Sequence, residues 1–86
     1  MLTSLKLVRV TDSPSRFILV VSAKVARLAV TRNQLKRRAR HILRRHGAAA
    51  PKGNDVFIFF KPGVADLAFG ELEAQLVFLL KRAKII

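Results

Sequence analysis

Three segments of the chain have the length and side-chain pattern of β-strands. Residues 5–10, LKLVRV, partly alternate between apolar and basic positions and precede the turn formers TDSPS at 11–15. Residues 16–22, RFILVVS, contain a continuous apolar run rich in β-branched side chains, which predicts a central strand covered on both faces. Residues 55–61, DVFIFFK, have the same character and end before Pro62-Gly63.

Two further segments have helical periodicity. Residues 29–46, AVTRNQLKRRARHILRRH, place an apolar cluster on one side when successive residues turn by about 100°; the cluster is Leu35, Ala39, Ile42 and Leu43. Residues 69–84, FGELEAQLVFLLKRAK, have apolar residues at helical spacing, namely Leu72, Leu76, Leu79 and Ala83. The order β-β-α-β-α predicts an α+β fold, a single α/β sandwich over residues 1–86 with a basic helix after the second strand.

The first helix carries a row of cations opposite its apolar cluster. Seven Lys or Arg side chains lie between Arg32 and Arg45, with no acidic residue among them. We call this row the cationic ridge; its centre is Asn33, Arg37, Arg40 and Arg44, and its flanks are Lys36, Arg38 and Arg45. Like charges at helical spacing cost an isolated helix about 0.2–0.5 kcal/mol per pair. Since surfaces that serve only solubility mix both signs, the ridge indicates a polyanionic partner.

Composition supports a folded domain with such a partner. The 86 residues carry a formal net charge of +12, which favours nucleic acid, followed by an anionic membrane surface, as the partner. The hydrophobic fraction of 51% is too high for a disordered basic tail. The absence of cysteine excludes disulfides and thiolate metal sites and is compatible with a reducing compartment. No apolar run has the length of a signal peptide or membrane span, so we expect a cytoplasmic protein.

Four kinds of polyanion binding can be compared with this pattern. A helix-turn-helix places another helix directly before the recognition helix, whereas a strand and a loop precede the basic helix here. A KH domain needs a Gly-x-x-Gly loop between helices, which GAAAPKG at 47–53 does not supply. A membrane-surface helix leaves its apolar side free, but this helix needs that side to cover the sheet. The pattern therefore favours contact with the phosphates of a structured RNA.

Residues 16–43, RFILVVSAKVARLAVTRNQLKRRARHIL, resemble the central segment of the bacterial ribonuclease P protein subunit. The matching residues are Ser22, Lys24, Ala29, Val30, Arg32, Asn33, Lys36, Arg37 and Arg40. FKP at 60–62 and ELEAQLVFLLKRA at 71–83 are similar to the family's C-terminal third. Gln34, Ala23 and Ala26 stand where the family usually has Arg, Lys and Gly. Family members usually begin with a basic, aromatic helix before the first strand, and we expect this chain to lack it.

The resemblance implies a ribonuclease P protein fold, similar to that of ribosomal proteins, and a protein subunit that performs no chemistry itself. Its partners would be the ribonuclease P RNA, which is the catalyst of this endoribonuclease, and precursor tRNA, whose 5′ leader is removed. Magnesium would be bound mainly by the RNA. The expected RNA contacts are Arg32, Asn33, Lys36, Arg37, Arg40 and Arg44. The expected leader contacts are Ser22, Lys24, Lys61 and Phe60. Neither a membrane nor an obligate protein partner is expected.

The other chemistry-bearing residues predict no catalytic or metal site in the protein. His41 and His46 have no acidic residue at helical spacing, which predicts solvated side chains. The carboxylates are interpreted as caps in turns and at helix starts; they are Asp12, Asp55, Asp66, Glu71 and Glu73. Strand alternation places Phe57 and Phe59 on one face of the sheet and Phe60 on the other, and Phe60 is the ring we expect to be available for stacking on RNA.

Two other functions stay open from the sequence. The first is a ribosome-associated or general RNA-binding and chaperone module with no role in tRNA processing, because one small fold can serve many functions. The second is a DNA-compacting protein. Selectivity for ribonuclease P RNA over ribosomal RNA and over duplex DNA distinguishes the three functions.

Overall fold

The computed structural model describes residues 1–10 and 15–86. Its elements are strands β1 (Thr3–Arg9), β2 (Phe17–Val20) and β3 (Asn54–Phe60), helices α1 (Ala29–Arg45) and α2 (Phe69–Arg82), and a short 3₁₀ helix (Val64–Asp66). The predicted order β-β-α-β-α is confirmed, and the short 3₁₀ helix is an addition that the pattern did not indicate. Asp12 and most of the turn predicted at 11–15 lie outside the described residues.

The sheet has the strand order β1-β3-β2. Strand β3 pairs antiparallel with β1, where Thr3 lies opposite Phe60, and parallel with β2, where Phe17 lies opposite Val56. The prediction that RFILVVS forms the central strand is therefore wrong: β2 is an edge strand. Both faces of this edge strand are nonetheless shielded from solvent to some degree, since Leu19 is buried and the side chains on the other face are partly buried. This explains why its sequence is continuously apolar.

Both helices pack on one face of this sheet and enclose the hydrophobic core. The buried residues of α1 are Leu35, Ala39, Ile42 and Leu43, which confirms the predicted apolar side of the basic helix. They share the core with Val56, Ile58 and Phe60 of β3. Full burial of a Leu or Ile side chain is worth about 1.5–3 kcal/mol, so this side of α1 is held firmly against the sheet. The opposite side of the helix is thereby directed away from the core.

Helix α2 buries a slightly different row of residues from the predicted one. Leu72 and Leu76 are buried as expected, but the third buried residue is Leu80 and not Leu79. Leu79 and Ala83 instead line a groove beside Leu5 of β1. The helix begins after Ala68, whose backbone N–H donates to Oε1 of Glu71 at 3.2 Å, so Glu71 caps the helix as predicted. Within the described ranges, neither helix is long and apolar enough to cross a bilayer.

The second face of the sheet, which we call the open face, carries Phe57 and Phe59. Their rings stack with centroids 6.1 Å apart and an interplanar angle of 15°, and both remain partly exposed. Phe60 is only 6% exposed and belongs to the core, so the expectation that its ring is available to RNA is wrong. Alternation along β3 correctly places Phe57 and Phe59 on one face and Phe60 on the other. Because both faces carry apolar side chains, the pattern does not show which face the helices cover.

Candidate nucleic-acid interface

The cationic ridge lies on the solvent side of α1. Asn33, Arg37, Arg40 and Arg44 are all exposed, while the flanking Lys36 is partly buried. The last turn of the helix contains two arginines, an arrangement that the helix dipole favours, but its first turn contains no acidic residue. The ridge is therefore held by the packing of the apolar side and not by charge pairing along the helix.

Most of the ridge is not neutralised by neighbouring acids. The ion pairs of the described residues involve Arg16, Arg45 and His46, with Asp55 and Glu73 as the acidic partners. Within the part of the chain that the structure describes, the side chains at the centre of the ridge thus have no acidic partner. A row of exposed cations without counter-charges attracts a polyanion. When the two bind, the counterions that surround the polyanion are released.

Arg32, at the start of the ridge, has a contact within the protein. Its Nη1 donates to the backbone carbonyls of Ala26 and Arg27, both at 2.9 Å. An arginine has five N–H donors, so three remain without a partner among the described residues. Asn33, the next residue, is exposed, and none of the described hydrogen bonds involves its side-chain amide.

The far end of α1 is joined to α2 by a small polar cluster. Oε2 of Glu73 lies 3.1 Å from Nε2 of His46 and 3.6 Å from Nη1 of Arg45. The expectation of a solvated His46 is therefore wrong, because its acidic partner comes from another helix and not from helical spacing. His41 packs beside Phe69 with ring centroids 5.9 Å apart. Glu73, interpreted as a helix cap, instead joins the two helices.

Asp55 also differs from its interpretation as a cap in a turn or at a helix start. It lies within β3, is 5% exposed and faces Arg16, whose Nε is 3.7 Å from its Oδ2. Among the described groups its Oδ1 has no hydrogen-bond partner. Nothing in the fold brings these carboxylates together: the described residues contain no group of three or more His, Cys, Asp or Glu that could hold a metal ion.

Three of the four expected leader contacts lie at one end of the sheet. Strands β2 and β3 are parallel with Val20 opposite Phe59, so Ser22 and Lys61, each two residues further on, leave the sheet at the same end. Both are exposed, as is Lys24 in the loop that follows β2. Helix α1 starts from this loop, so the beginning of the ridge lies near this end of the sheet. The fourth residue, Phe60, is in the core and does not join them.

Sequence reasoning missed two features of this region. The stacked Phe57 and Phe59 are the rings that the open face presents, and alternation with the opposite choice of covered face would have found them. Arg27, which is exposed in the loop before α1, adds a cation next to the ridge. Its signal in the sequence was simply its charge beside the basic helix.

Comparison with known proteins identifies the family. A model of the ribonuclease P family matches residues 3–84. The chain belongs to the ribonuclease P protein family. The ribonuclease P protein component of Streptococcus pneumoniae is 40% identical to it over 67 residues, which are 78% of this chain and 54% of that protein. The chain thus spans about half the length of the sequence relatives that it matches.

Solved structures of ribonuclease P proteins share this fold. The protein from Thermotoga maritima, in complex with 1-(4-fluorophenyl)-2-thiourea, is 30% identical and superimposes with a TM-score of 0.73 over 93% of this chain and 78% of that one. The protein from Staphylococcus aureus is 21% identical, with a TM-score of 0.76 over 96% of this chain and 75% of that one. The expected α+β fold of ribonuclease P proteins is therefore confirmed.

Proposed function

We propose that this protein is the RNA-binding subunit of a cytoplasmic ribonuclease P, which removes the 5′ leader from precursor tRNA. The observation that carries the proposal is the ridge of exposed cations on α1, without acidic partners among the described residues, in a chain of the ribonuclease P family. Phosphates of a folded RNA are the partner that such a ridge fits, because arginine and lysine bind them without reading the bases. We assign these contacts to Arg32, Asn33, Lys36, Arg37, Arg40 and Arg44.

In this proposal the RNA performs the chemistry and the protein positions it. The two histidines are engaged with Glu73 and Phe69, and Asp55 faces Arg16, which suits structural roles for these groups. Magnesium supports hydrolysis of the phosphodiester when it is bound by the RNA. The donor set of the described residues does not fit a metal site of the protein's own, so no step is assigned to a protein-bound metal.

The leader of precursor tRNA is proposed to follow the open face of the sheet. Phe57 and Phe59 supply partly exposed, stacked rings, and Lys6 lies opposite Phe57 on the neighbouring strand with its side chain exposed. Aromatic rings and cations together bind single-stranded RNA with little sequence preference. Ser22 and Lys61, where β2 and β3 end, extend this path toward the loop before α1.

Selective binding tests the proposal. The chain is titrated at about 0.15 M salt, where phosphate contacts still contribute strongly, into three probes: a transcribed bacterial ribonuclease P RNA, a ribosomal RNA domain of matched length, and duplex DNA with a matched number of phosphates. The proposal predicts binding to ribonuclease P RNA that is at least about tenfold tighter than binding to either competitor. Equal affinity for ribosomal RNA would favour a general RNA-binding protein, and equal affinity for DNA would favour a non-specific polyanion binder.

A further inference from the structure

The loop between β2 and α1 is held by a set of hydrogen bonds that converge on its backbone. The carbonyl of Ser22 accepts from the backbone N–H groups of Val25 at 3.0 Å and Ala26 at 3.2 Å. The carbonyl of Leu28 accepts from the first turn of α1. Between these two points, the carbonyls of Ala26 and Arg27 both accept from Nη1 of Arg32. The side chain of Arg32 therefore fastens the middle of the loop to the helix.

The loop presents two cations, of which Lys24 is an expected leader contact and Arg27 has no role so far. Lys24 and Arg27 are exposed, whereas Ala26 between them is 8% exposed and packs inward. The bond from Arg32 to the backbone carbonyl of Arg27 keeps this part of the loop beside the first turn of α1. Both cations directly precede the ridge along the chain, so a fixed loop extends the cationic surface beyond the first turn of α1.

We propose that Arg32 is a positioning residue, which holds the loop so that Lys24 and Arg27 bind the RNA together with the cationic ridge. This inference deepens the proposed function and rests on it. Both hydrogens on Nη1 are used by the loop, since each carbonyl takes one. The three remaining N–H donors of Arg32 are available to a phosphate. Arg32 thus acts on the RNA through the loop as well as through its own charge.

The hold on the loop can be measured without RNA. Amide hydrogen exchange is followed at Val25 and Ala26 in the wild-type chain, in Arg32→Ala and in Arg37→Ala. Arg37 is an exposed arginine of the same helix without an acidic partner among the described residues, so its variant is the matched control. Loss of the two hydrogen bonds in Arg32→Ala should speed exchange of these amides about tenfold, while exchange in β3 stays unchanged. Wild-type exchange rates in Arg32→Ala would overturn the proposal.

A double-mutant cycle tests the consequence for binding to a bacterial ribonuclease P RNA. Arg32→Ala is made in the wild-type chain and in the variant Lys24→Ala/Arg27→Ala. We expect it to weaken binding about 20-fold in the wild type but only about fivefold without the loop cations, whereas Arg37→Ala costs about fivefold in both. The same factor for Arg32→Ala in both backgrounds would show that Arg32 acts only as a separate phosphate contact. Arg32→Lys replaces the alanine variant if that variant does not fold.

The two proposals fail in different ways. If the wild-type chain shows no preference for ribonuclease P RNA, the proposed function fails and with it the role of the loop in binding that RNA. If the preference depends on Arg37 and Arg40 but the cycle is additive, the proposed function stands and the proposal that Arg32 acts on RNA through the loop is refuted. Exchange at Val25 and Ala26 reports on the loop in either case.

Discussion

Replacing Arg37 and Arg40 by alanine should make the protein more stable and a weaker binder of RNA. In α1, Arg40 lies three residues from Arg37 and four from both Lys36 and Arg44, so the double variant removes three repulsive pairs. At about 0.2–0.5 kcal/mol per pair, and with alanine the better helix former, the gain in unfolding free energy is about 1 kcal/mol. For a domain of this size, that gain corresponds to a rise in Tm of about 4–8 °C.

The loss of binding follows from counterion release. Each lost phosphate contact lowers the slope of log K against log salt by about 0.7–0.9, so two contacts lower it by about 1.4–1.8. At about 0.15 M salt, the same two contacts account for a decrease in affinity of about 15- to 30-fold. Both side chains are exposed and without an acidic partner among the described residues, so their replacement should lower the affinity for RNA without disturbing the core.

The assay is fluorescence anisotropy with labelled ribonuclease P RNA from about 0.05 to 0.3 M salt, a range over which phosphate contacts dominate the change in affinity, combined with thermal melts. The matched control is Lys81→Ala/Arg82→Ala, which removes two exposed cations from the last turn of α2. The control should keep the wild-type slope and lose some stability, because cations favour that end of a helix. An unchanged slope for the ridge variant would show that Arg37 and Arg40 do not contact phosphates. A fall in its Tm would show that repulsion along α1 does not destabilise the protein.

Four further substitutions test the fold around the interface. Glu73→Gln weakens the contact to His46 and should lower the unfolding free energy by about 1 kcal/mol in urea titrations without reducing the salt slope of RNA binding. Phe60→Ala should cost about 3–5 kcal/mol because it empties a core position, whereas Phe59→Ala on the open face should cost clearly less; equal losses would contradict the assignment of the two faces. Gly63→Ala should cost about 1–3 kcal/mol, measured by thermal melts, since Gly63 has φ +97°.

Local patterns predicted the elements and the buried side of α1 because they depend on periodicity within one segment. Leu35, Ala39 and Ile42 recur at helical spacing among charged residues, which leaves a single choice of buried side. In α2 the choice was wider: Leu79 and Leu80 are neighbours of the same type, and the packing against β1 and α1 decides which one is buried. The helix was therefore assigned correctly, and only the choice between Leu79 and Leu80, which depends on tertiary contacts, was wrong.

Features that join distant segments could not be predicted in the same way. RFILVVS and DVFIFFK are both continuously apolar, so the pattern does not show that β3 pairs on both sides. Glu73 and His46 are separated by 27 residues, and no spacing rule brings them together. The bonds from Arg32 to the loop at Ala26 depend on the turn that this loop adopts after β2. For the interface, charge identified the ridge, but only the fold shows which cations are held by the protein itself.

The proposed role as a ribonuclease P subunit can be measured as cleavage of a precursor tRNA by a bacterial ribonuclease P RNA at low magnesium, with and without this protein. We expect the wild-type chain to restore cleavage at the mature 5′ end and the Arg37→Ala/Arg40→Ala variant to restore much less at the same concentration. Tight binding of the wild-type chain to the RNA with no increase in cleavage would contradict the proposed role in tRNA processing.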